Sequence, residues 1–390
     1  MNEELERVKA LLKSESIDVA LICGEIGVTY VSGFELPARI GVLNDLMAGP
    51  MLALISQNDE EACLLVSSMD YEPAMRANRL KHLHVYKVSD HFAPLDARQS
   101  YLNEIKEMFG KCNSISKGNA TIGVEFSKIP LCVMALIKEI YPNAKVLDIS
   151  DILVKARLTK TKREIELIRE CVKLNDVGQK ALLELAEPGL SEIALSNEVI
   201  KRIRVAAGRE VACSIDMAAG GRTAINSYPM GPVARDLEKG DMVIYDLSVR
   251  YKGYWSDTTN TFVVGANPTK EQLRYFNAVK DAFDALVSVI KPGVRACDVN
   301  EAAKEAFAAH GMPLAHYSGH QVGICVNDVP KLVCYDETKL LEGMVFSLEP
   351  GAYAGVNGNC GVRLEKVVLV TPDGAEILSK FDWGINSEGR

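Results

Sequence analysis

The hydrophobic patterning predicts an α/β domain over residues 1–155, followed by an α+β domain over residues 156–390 that is built twice from one unit. Three observations carry this. Apolar runs typical of buried strands alternate with helical periodicity through the first domain. From Leu158 onward, long amphipathic helices take over. The second domain also contains an internal echo: Glu187-Pro-Gly-Leu links one pair of helices, and Lys291-Pro-Gly-Val links another about 104 residues later. That offset is too long for a solenoid repeat. It suggests two halves closing around one site at their interface.

The elements follow in order. An opening helix carries Leu5, Val8, Leu11 and Leu12 on one face. It leads into the apolar strand Val19–Cys23 and then Tyr30-Val-Ser-Gly-Phe34. Strands are expected near Met51–Ser56 and Ala62–Val66, a helix near Glu72–Asn78, and a strand over Leu83–Val88. No G-x-G-x-x-G or P-loop opens a helix, so nucleotide binding has no support. In the second domain, Thr159-Lys-Thr-Lys-Arg-Glu-Ile starts a helix running to about Leu185, after a capping-type threonine. Its partner helix ends at Gly208; the counterpart pair starts near residue 269 and ends at Gly311. Each pair runs into strands and ends in one hairpin bearing two acidic residues.

Two domains are the prior for 390 residues, and 48% hydrophobic with 25% charged residues is an ordinary globular composition. The net charge of −8 argues against nucleic acid or an anionic membrane as partner. The opening Met1-Asn-Glu-Glu-Leu is charged and helix-like, with no apolar leader, and no run of about eighteen apolar residues spans a bilayer. Ten cysteines without any C-x-x-C pair fit free thiols in a reducing cytoplasm. Cys325 and Cys360 lie near the acidic segments, but neither has an evident adjacent base, so cysteine catalysis is not expected.

The acidic hairpins carry the chemistry. Asp246 and Asp257 are symmetric about a tip at Tyr251-Lys252, which would set them directly opposite each other. Like charges so placed repel unless something compensates them. Glu349 and Glu365 are centred on Asn357, within the glycine-rich turn Gly355–Gly361. His320 lies between the pairs in Ser-Gly-His, where small residues let backbone approach closely. Any one of these carboxylates alone would be an ordinary solvated or capping residue. Asp246 and Glu349, however, follow apolar runs, and buried carboxylates need partners. Four carboxylates and one imidazole form a hard ligand set that two divalent cations would neutralise.

The order Asp, eleven residues to Asp, Gly-His, Ser-Leu-Glu-Pro-Gly and Gly-Val-Arg-Leu-Glu resembles the prolidase, aminopeptidase P, creatinase and methionine aminopeptidase superfamily. The resemblance covers residues 158–380, and more loosely the first domain through Tyr30-Val-Ser-Gly-Phe34. It implies a creatinase-like N-terminal domain and a duplicated pita-bread catalytic domain. It also implies a dinuclear site of manganese, cobalt or zinc held by Asp246, Asp257, His320, Glu349 and Glu365, with Asp257 and Glu365 bridging. Glu349 would relay the proton of a water activated between the cations, and His316 would steady the oxyanion. Arg363 lies two residues before Glu365, so on a strand both share one face. It would orient that carboxylate or meet a substrate's acid group. Members are mostly homodimers whose N-terminal domain overhangs the partner's site; Phe34–Leu46, with Arg39, is the candidate overhanging loop.

The chain departs from the peptidase pattern at two places. Peptidase members carry one histidine about seventeen residues before the first aspartate and another seven after the metal-binding histidine. Here those regions read Asn226-Ser-Tyr228-Pro-Met-Gly and Asn327, and the only histidines are His82, His84, His91, His310, His316 and His320. Tyr228 and Asn327 are therefore the expected substrate contacts. An amide or phenol hydrogen-bonds a carbonyl but does not donate a proton near pH 7 as imidazolium does. Ordinary Xaa-Pro dipeptides are accordingly expected to be poor substrates. The tail Lys380-Phe-Asp-Trp-Gly resembles the creatinase and ectoine-hydrolase branch, whose members generally lack ligands intact here. The leading expectation is a metal-dependent hydrolase of the Xaa-Pro peptidase type, cleaving a C–N bond in a short peptide or small molecule. The alternatives are an enzyme on a small non-peptide zwitterion, like creatinase, ectoine hydrolase or dimethylsulfoniopropionate lyase, and lastly a non-catalytic binding relative.

Overall fold

A computed structural model describes residues 2–36, 47–113, 115, 119–226 and 231–385. The chain divides into two units, Met1–Leu158 and Thr159–Arg390.

In the first unit, helix α1 (Glu3–Ser14) is capped by the Asn2 side chain and buries Leu5, Val8 and Leu12. Strands β1 (Val19–Ile22), β2 (Leu52–Ser56), β3 (Cys63–Ser67), β4 (His82–Tyr86), β5 (Thr121–Val124) and β6 (Lys145–Asp148) form one sheet in the order β4-β3-β2-β1-β5-β6. Strand β2 runs antiparallel to both its neighbours, whereas β3–β4, β1–β5 and β5–β6 are parallel. Strands β1, β2 and β3 are buried along their whole length. That is why they read as continuous apolar runs rather than alternating ones. Tyr30 to Ser32 close helix α2 (Glu25–Ser32), which Gly33 ends at φ 74°. Among the described residues, helices α3 (Tyr71–Ala77), α4 (Ala97–Lys111), α5 (Leu131–Ile140) and α6 (Ser150–Ala156) also belong to this unit. Among them α4 buries Tyr101, Ile105, Met108 and Phe109.

The second unit shows the duplication. Helix α7 (Lys162–Leu185) starts at a capping box made by Thr161 and Glu164, and α9 (Lys270–Val289) at one made by Thr269 and Gln272. Helices α8 (Glu192–Ala207) and α10 (Ala296–Ala309) follow. Leu185 and Val289 end the first helix of each half, and Glu192 and Ala296 start the second, so both landmarks recur after 104 residues. The first half continues into β7 (Ala212–Ala219), β8 (Met242–Tyr251) and β9 (Tyr254–Val263), an antiparallel sheet in chain order. The second supplies β10 (Gly319–Gln321), β11 (Asp328–Lys331), β12 (Val345–Leu348), β15 (Lys366–Thr371) and β16 (Gly374–Ile377), ordered β11-β10-β12-β15-β16. Between them β13 (Gly351–Tyr353) pairs with β14 (Gly361–Arg363). Among the described residues no helix is long and apolar enough to cross a membrane.

The period-2 alternation of β8 and β9 separates their two faces. Val243, Tyr245, Leu247 and Val249 pack with Leu182, Leu195, Val199 and Ile203 of α7 and α8. On the same side, Asn175 of α7 donates to the Leu247 carbonyl at 2.7 Å, and Gln179 to the Thr258 carbonyl at 3.1 Å. These bonds brace the back of the hairpin. Its other face is left to the site.

Candidate metal centre

The β8–β9 hairpin turns on Lys252-Gly253, because Tyr251 pairs with Tyr254. Both turn residues have positive φ, 52° and 84°, the geometry of a two-residue hairpin turn that glycine makes accessible. The tip is therefore one residue later than the spacing suggested, and the expected Asp246–Asp257 opposition does not occur. Asp246 faces Thr259, and Asp257 faces Ser248. Across this β8–β9 ladder each aspartate meets a hydroxyl residue instead of the other aspartate. Ser248 Oγ donates to Asp257 Oδ1 at 2.8 Å, and Thr259 Oγ1 donates to Glu365 Oε2 at 2.7 Å.

The second hairpin keeps its expected centre. Leu348 pairs with Lys366 and Tyr353 with Gly361, so Glu349 and Glu365 straddle Asn357 symmetrically. Gly319 lets β10 lie close against β12: a Cβ there would sit 2.4 Å from the Ser347 carbonyl oxygen. His320 is thereby presented beside Glu349. The two halves join where the Glu365 amide donates to the Thr259 carbonyl at 2.9 Å. Asp246, Asp257, His320, Glu349 and Glu365 all line one cavity of about 560 Å³.

Ligand-capable atoms of Asp257, His320 and Glu365 lie within 4.8 Å of one another. His320 Nδ1 is 3.0 Å from the Gln321 carbonyl oxygen. A carbonyl only accepts, so Nδ1 carries the proton and Nε2 presents a lone pair. His320 Nε2 is 3.2 Å from Glu349 Oε1, 3.8 Å from Asp257 Oδ2 and 4.0 Å from Glu365 Oε1. Glu349 Oε1 is buried with no hydrogen-bond partner among the described residues. Acceptors converging on a buried point require a cation or a proton there. The donor set of hard oxygens and one imidazole fits a divalent metal.

The electrostatics agree. Burial, then the charges of Glu365, Asp246 and Glu349, push Asp257 well above the usual carboxylate range. Burial, with Glu349 and Asp246, does the same to Glu365. Burial alone would raise Glu349 too, but His320, Arg363 and His316 hold it below the ordinary value. Burial would lower His320, yet the Glu349 carboxylate outweighs it and raises the imidazole.

Arg363 reaches Glu365 through the Thr259 hydroxyl rather than by a direct hydrogen bond, although the two are neighbours in sequence. Its Nη2 donates to Asp246 Oδ2 at 2.6 Å and its Nε to Thr259 Oγ1 at 3.2 Å. The β13–β14 pairing aims its long side chain back across the cavity to β8. Its Nη1 lies 3.4 Å from the hydroxyl of Tyr353, which is 3.1 Å from His316 Nε2. His316 Nδ1 faces the Tyr317 carbonyl oxygen at 2.8 Å, so Nε2 accepts from Tyr353. Burial lowers the His316 pKa, consistent with a neutral ring. The sequence reading missed Tyr353, Ser248 and Thr259. The two hydroxyl residues each lie two positions after an aspartate, on the same strand face, and that parity was available. Tyr353, across a turn from its partners, carried no such signal.

Asn327 lines the cavity, and its Nδ2 donates to the Tyr317 hydroxyl at 3.3 Å; Asn226 lines the cavity as well. Arg39, with most of the proposed overhanging loop, and Tyr228 lie outside the described residues. Cys360 is buried, its thiol pushed up to about 12 by desolvation, which leaves it inert as a nucleophile.

A helix–helix–sheet unit used twice, with carboxylates and one imidazole converging where the halves meet, defines the class: a metal-dependent hydrolase of the prolidase and creatinase superfamily. The chain belongs to metallopeptidase family M24, whose sequence model matches residues 166–372, and its residues 4–159 match the creatinase/prolidase N-terminal domain. A curated relative, the Xaa-Pro dipeptidase of Pyrococcus furiosus, is 30% identical over 98% of this chain and 99% of its own length. The crystal structure of the prolidase from Pyrococcus horikoshii matches with a TM-score of 0.78 at 26% identity, covering 98% of this chain and 99% of that one. The Xaa-Pro dipeptidase structure from Bacillus anthracis gives 0.79 at 26% identity, with 98% of each chain covered. Divalent metal therefore belongs to the chemistry of this protein. The small-zwitterion and binding alternatives find no favour among these relatives.

Proposed function

We propose that the protein is a dinuclear metal-dependent dipeptidase, in which Asp246, Asp257, His320, Glu349 and Glu365 hold two cations of manganese, cobalt or zinc. The observation that carries this reading is the buried Glu349 Oε1, lacking any hydrogen bond among the described residues, beside a lone pair of His320 and the carboxylates of Asp257 and Glu365. Bound cations would supply Lewis acidity toward a scissile carbonyl and lower the pKa of an adjacent water. Glu349, held below the ordinary carboxylate value, is the base that accepts and returns the proton. Arg363 fixes Asp246, and Tyr353, held by His316, fixes Arg363 in turn. Asn327 lines the cavity and offers an amide to the substrate carbonyl.

A dipeptide is the substrate class named for the relatives. The Ser227-Tyr228-Pro229 stretch and Asn327 stand in the regions where the resemblance places histidines, so proline dipeptides are processed more slowly than other dipeptides. The test is a panel of Xaa-Pro and Xaa-Ala dipeptides, with creatine and dimethylsulfoniopropionate as controls, on protein loaded with each metal in turn. Hydrolysis of dipeptides that stops on chelation is expected. Intact hydrolysis at near-zero metal content would overturn the reading. A kcat/KM above about 10⁴ M⁻¹s⁻¹ on any Xaa-Pro dipeptide would show the histidine replacements to be without consequence.

The protein is further inferred to work as a homodimer in the cytoplasm. The family resemblance supports the dimer, and ten free thiols support a reducing compartment. Light scattering should give the mass of two chains at micromolar concentration. A fully active monomer would contradict it.

A further inference from the structure

The closing motif Lys380-Phe-Asp-Trp-Gly384 takes no part in the chemistry above, yet it is bound to the two strands that carry Asp257 and Glu365. On β9, Thr259 donates to Glu365 in the cavity, while the next residue, Asn260, points to the opposite face and is fully buried. The Asn260 amide donates to the Asp382 carbonyl at 3.1 Å and accepts from the Gly384 amide at 2.9 Å. Its two bonds thus bracket Trp383. The same division recurs at β15. Glu365 lines the cavity, and the next residue, Lys366, donates to the Phe381 carbonyl at 2.7 Å. The Lys366 ammonium lies 4.6 Å from the ring centroid of Phe381 and 4.3 Å from that of Trp383, and a cation over two aromatic rings is attracted by both. The tail also touches one helix of each half. The Lys380 amide donates to Asp176 of α7 at 2.9 Å, and the Trp383 ring meets Phe283 of α9 edge to face at 5.4 Å. A Cβ on Gly384 would come within 2.4 Å of Phe262 Cβ, so the chain passes hard against β9.

We propose that Phe381–Trp383 is a strap that positions the metal centre, with Asn260 and Lys366 as its positioning residues. This rests on the dinuclear reading above, in which Asp257 and Glu365 bridge the cations. Those carboxylates belong to different halves of the domain, and a bridging pair must hold one spacing. One tie between the halves is the Glu365 amide on the Thr259 carbonyl. The strap adds another across the same junction, from Asn260 through Asp382, Trp383 and Phe381 to Lys366. The charge of Lys366 by itself works the other way. An ammonium one residue from a ligand repels bound cations, so its removal alone would strengthen metal binding. Strap and bare charge therefore predict opposite signs.

The test titrates full-length protein with manganese, cobalt and zinc in turn, followed by calorimetry. Lys366→Met keeps the aliphatic stem and removes the cation. Groups that orient metal ligands typically contribute about 10- to 100-fold in metal affinity, so the variant should lose that much while its circular dichroism stays that of the wild type. Trp383→Leu opens the strap from the tail and should weaken binding as much. The double variant should lose no more than the weaker-binding single, because one tie is lost only once. Lys366→Arg keeps a cation over the rings and should restore most of the affinity. Unchanged or stronger metal binding in Lys366→Met would overturn the proposal, as would additive losses or a failure of arginine to restore affinity. A lower melting temperature with metal affinity intact would make the tail a plain packing element and overturn it too. If Lys366→Met does not fold, Trp383→Leu decides by the same comparison. Wild-type protein that binds none of the metals would instead overturn the dinuclear reading, and the strap with it.

Discussion

Asp257 is where burial, charge and geometry press hardest on one side chain. Its carboxylate is buried beside Glu365, Asp246 and Glu349, and the Ser248 hydroxyl donates a hydrogen bond to it. On the dinuclear reading proposed above, Asp257→Asn would remove a bridging charge and leave the cations under-neutralised, so metal stoichiometry should fall to near zero and turnover should vanish with it. Elemental analysis alongside kinetics checks this; full metal content in the variant would refute it. Tyr353 acts at one remove, because its hydroxyl joins His316 to Arg363 and so to Asp246. Residues that orient metal ligands typically contribute about 10- to 100-fold in activity. Tyr353→Phe should lower kcat within that range while metal content holds. A drop in metal content instead would mean that the hydroxyl serves binding, not alignment.

At the scale of elements, the β8–β9 hairpin does two tasks with its two faces. Apolar residues hold it to α7 and α8, while Asp246, Ser248, Asp257 and Thr259 face the cavity. Its register depends on Lys252-Gly253, and Gly253 sits at φ 84°. A Cβ in left-handed conformation costs about 1–2 kcal/mol. Gly253→Ala should reduce unfolding free energy in urea by about that amount, and metal affinity should weaken with it, since both hairpin aspartates depend on this register. Unchanged stability would show that the turn tolerates the substitution. The alternation and the acidic residues of this hairpin were legible in the chain, but its register was not. A tip can move by one residue without altering the pattern of apolar and polar letters, and the glycine's preference for positive φ decides between the two.

For the whole molecule, metal and stability are linked through pH with a definite sign. Asp257, Glu365 and His320 have folded pKa values raised above their unfolded ones. Such groups contribute stability that is complete below the unfolded pKa and is lost as pH rises through the folded one. Glu349 runs the other way, its folded value being lowered, so its contribution is lost on acidification. Of these groups His320, raised from an ordinary value of 6.5, is the one whose unfolded titration falls between about pH 6 and pH 8. Metal-free protein should therefore melt at a higher temperature at about pH 6 than at about pH 8. Metal-loaded protein should show the reverse, because the ligands must be deprotonated to bind. Calorimetric scans of both forms at the two pH values would show the crossing; parallel trends would mean that these groups do not hold the metal.

The duplicated architecture, the five converging residues and the family could all be reached from the letters of the chain. Each rests on local or repeating features: capping threonines, Pro-Gly links recurring after 104 residues, and acidic residues at fixed distance from glycine-rich turns. Partner choice across the fold could not. Arg363 is two residues from Glu365 yet binds Asp246, 117 positions away. Asp216 faces Asp246 only because β7 pairs with β8 in one register out of several. Periodicity and turn chemistry are set by near neighbours along the backbone, whereas the meeting of distant side chains is settled by how helices and sheets pack, which no short stretch of sequence records.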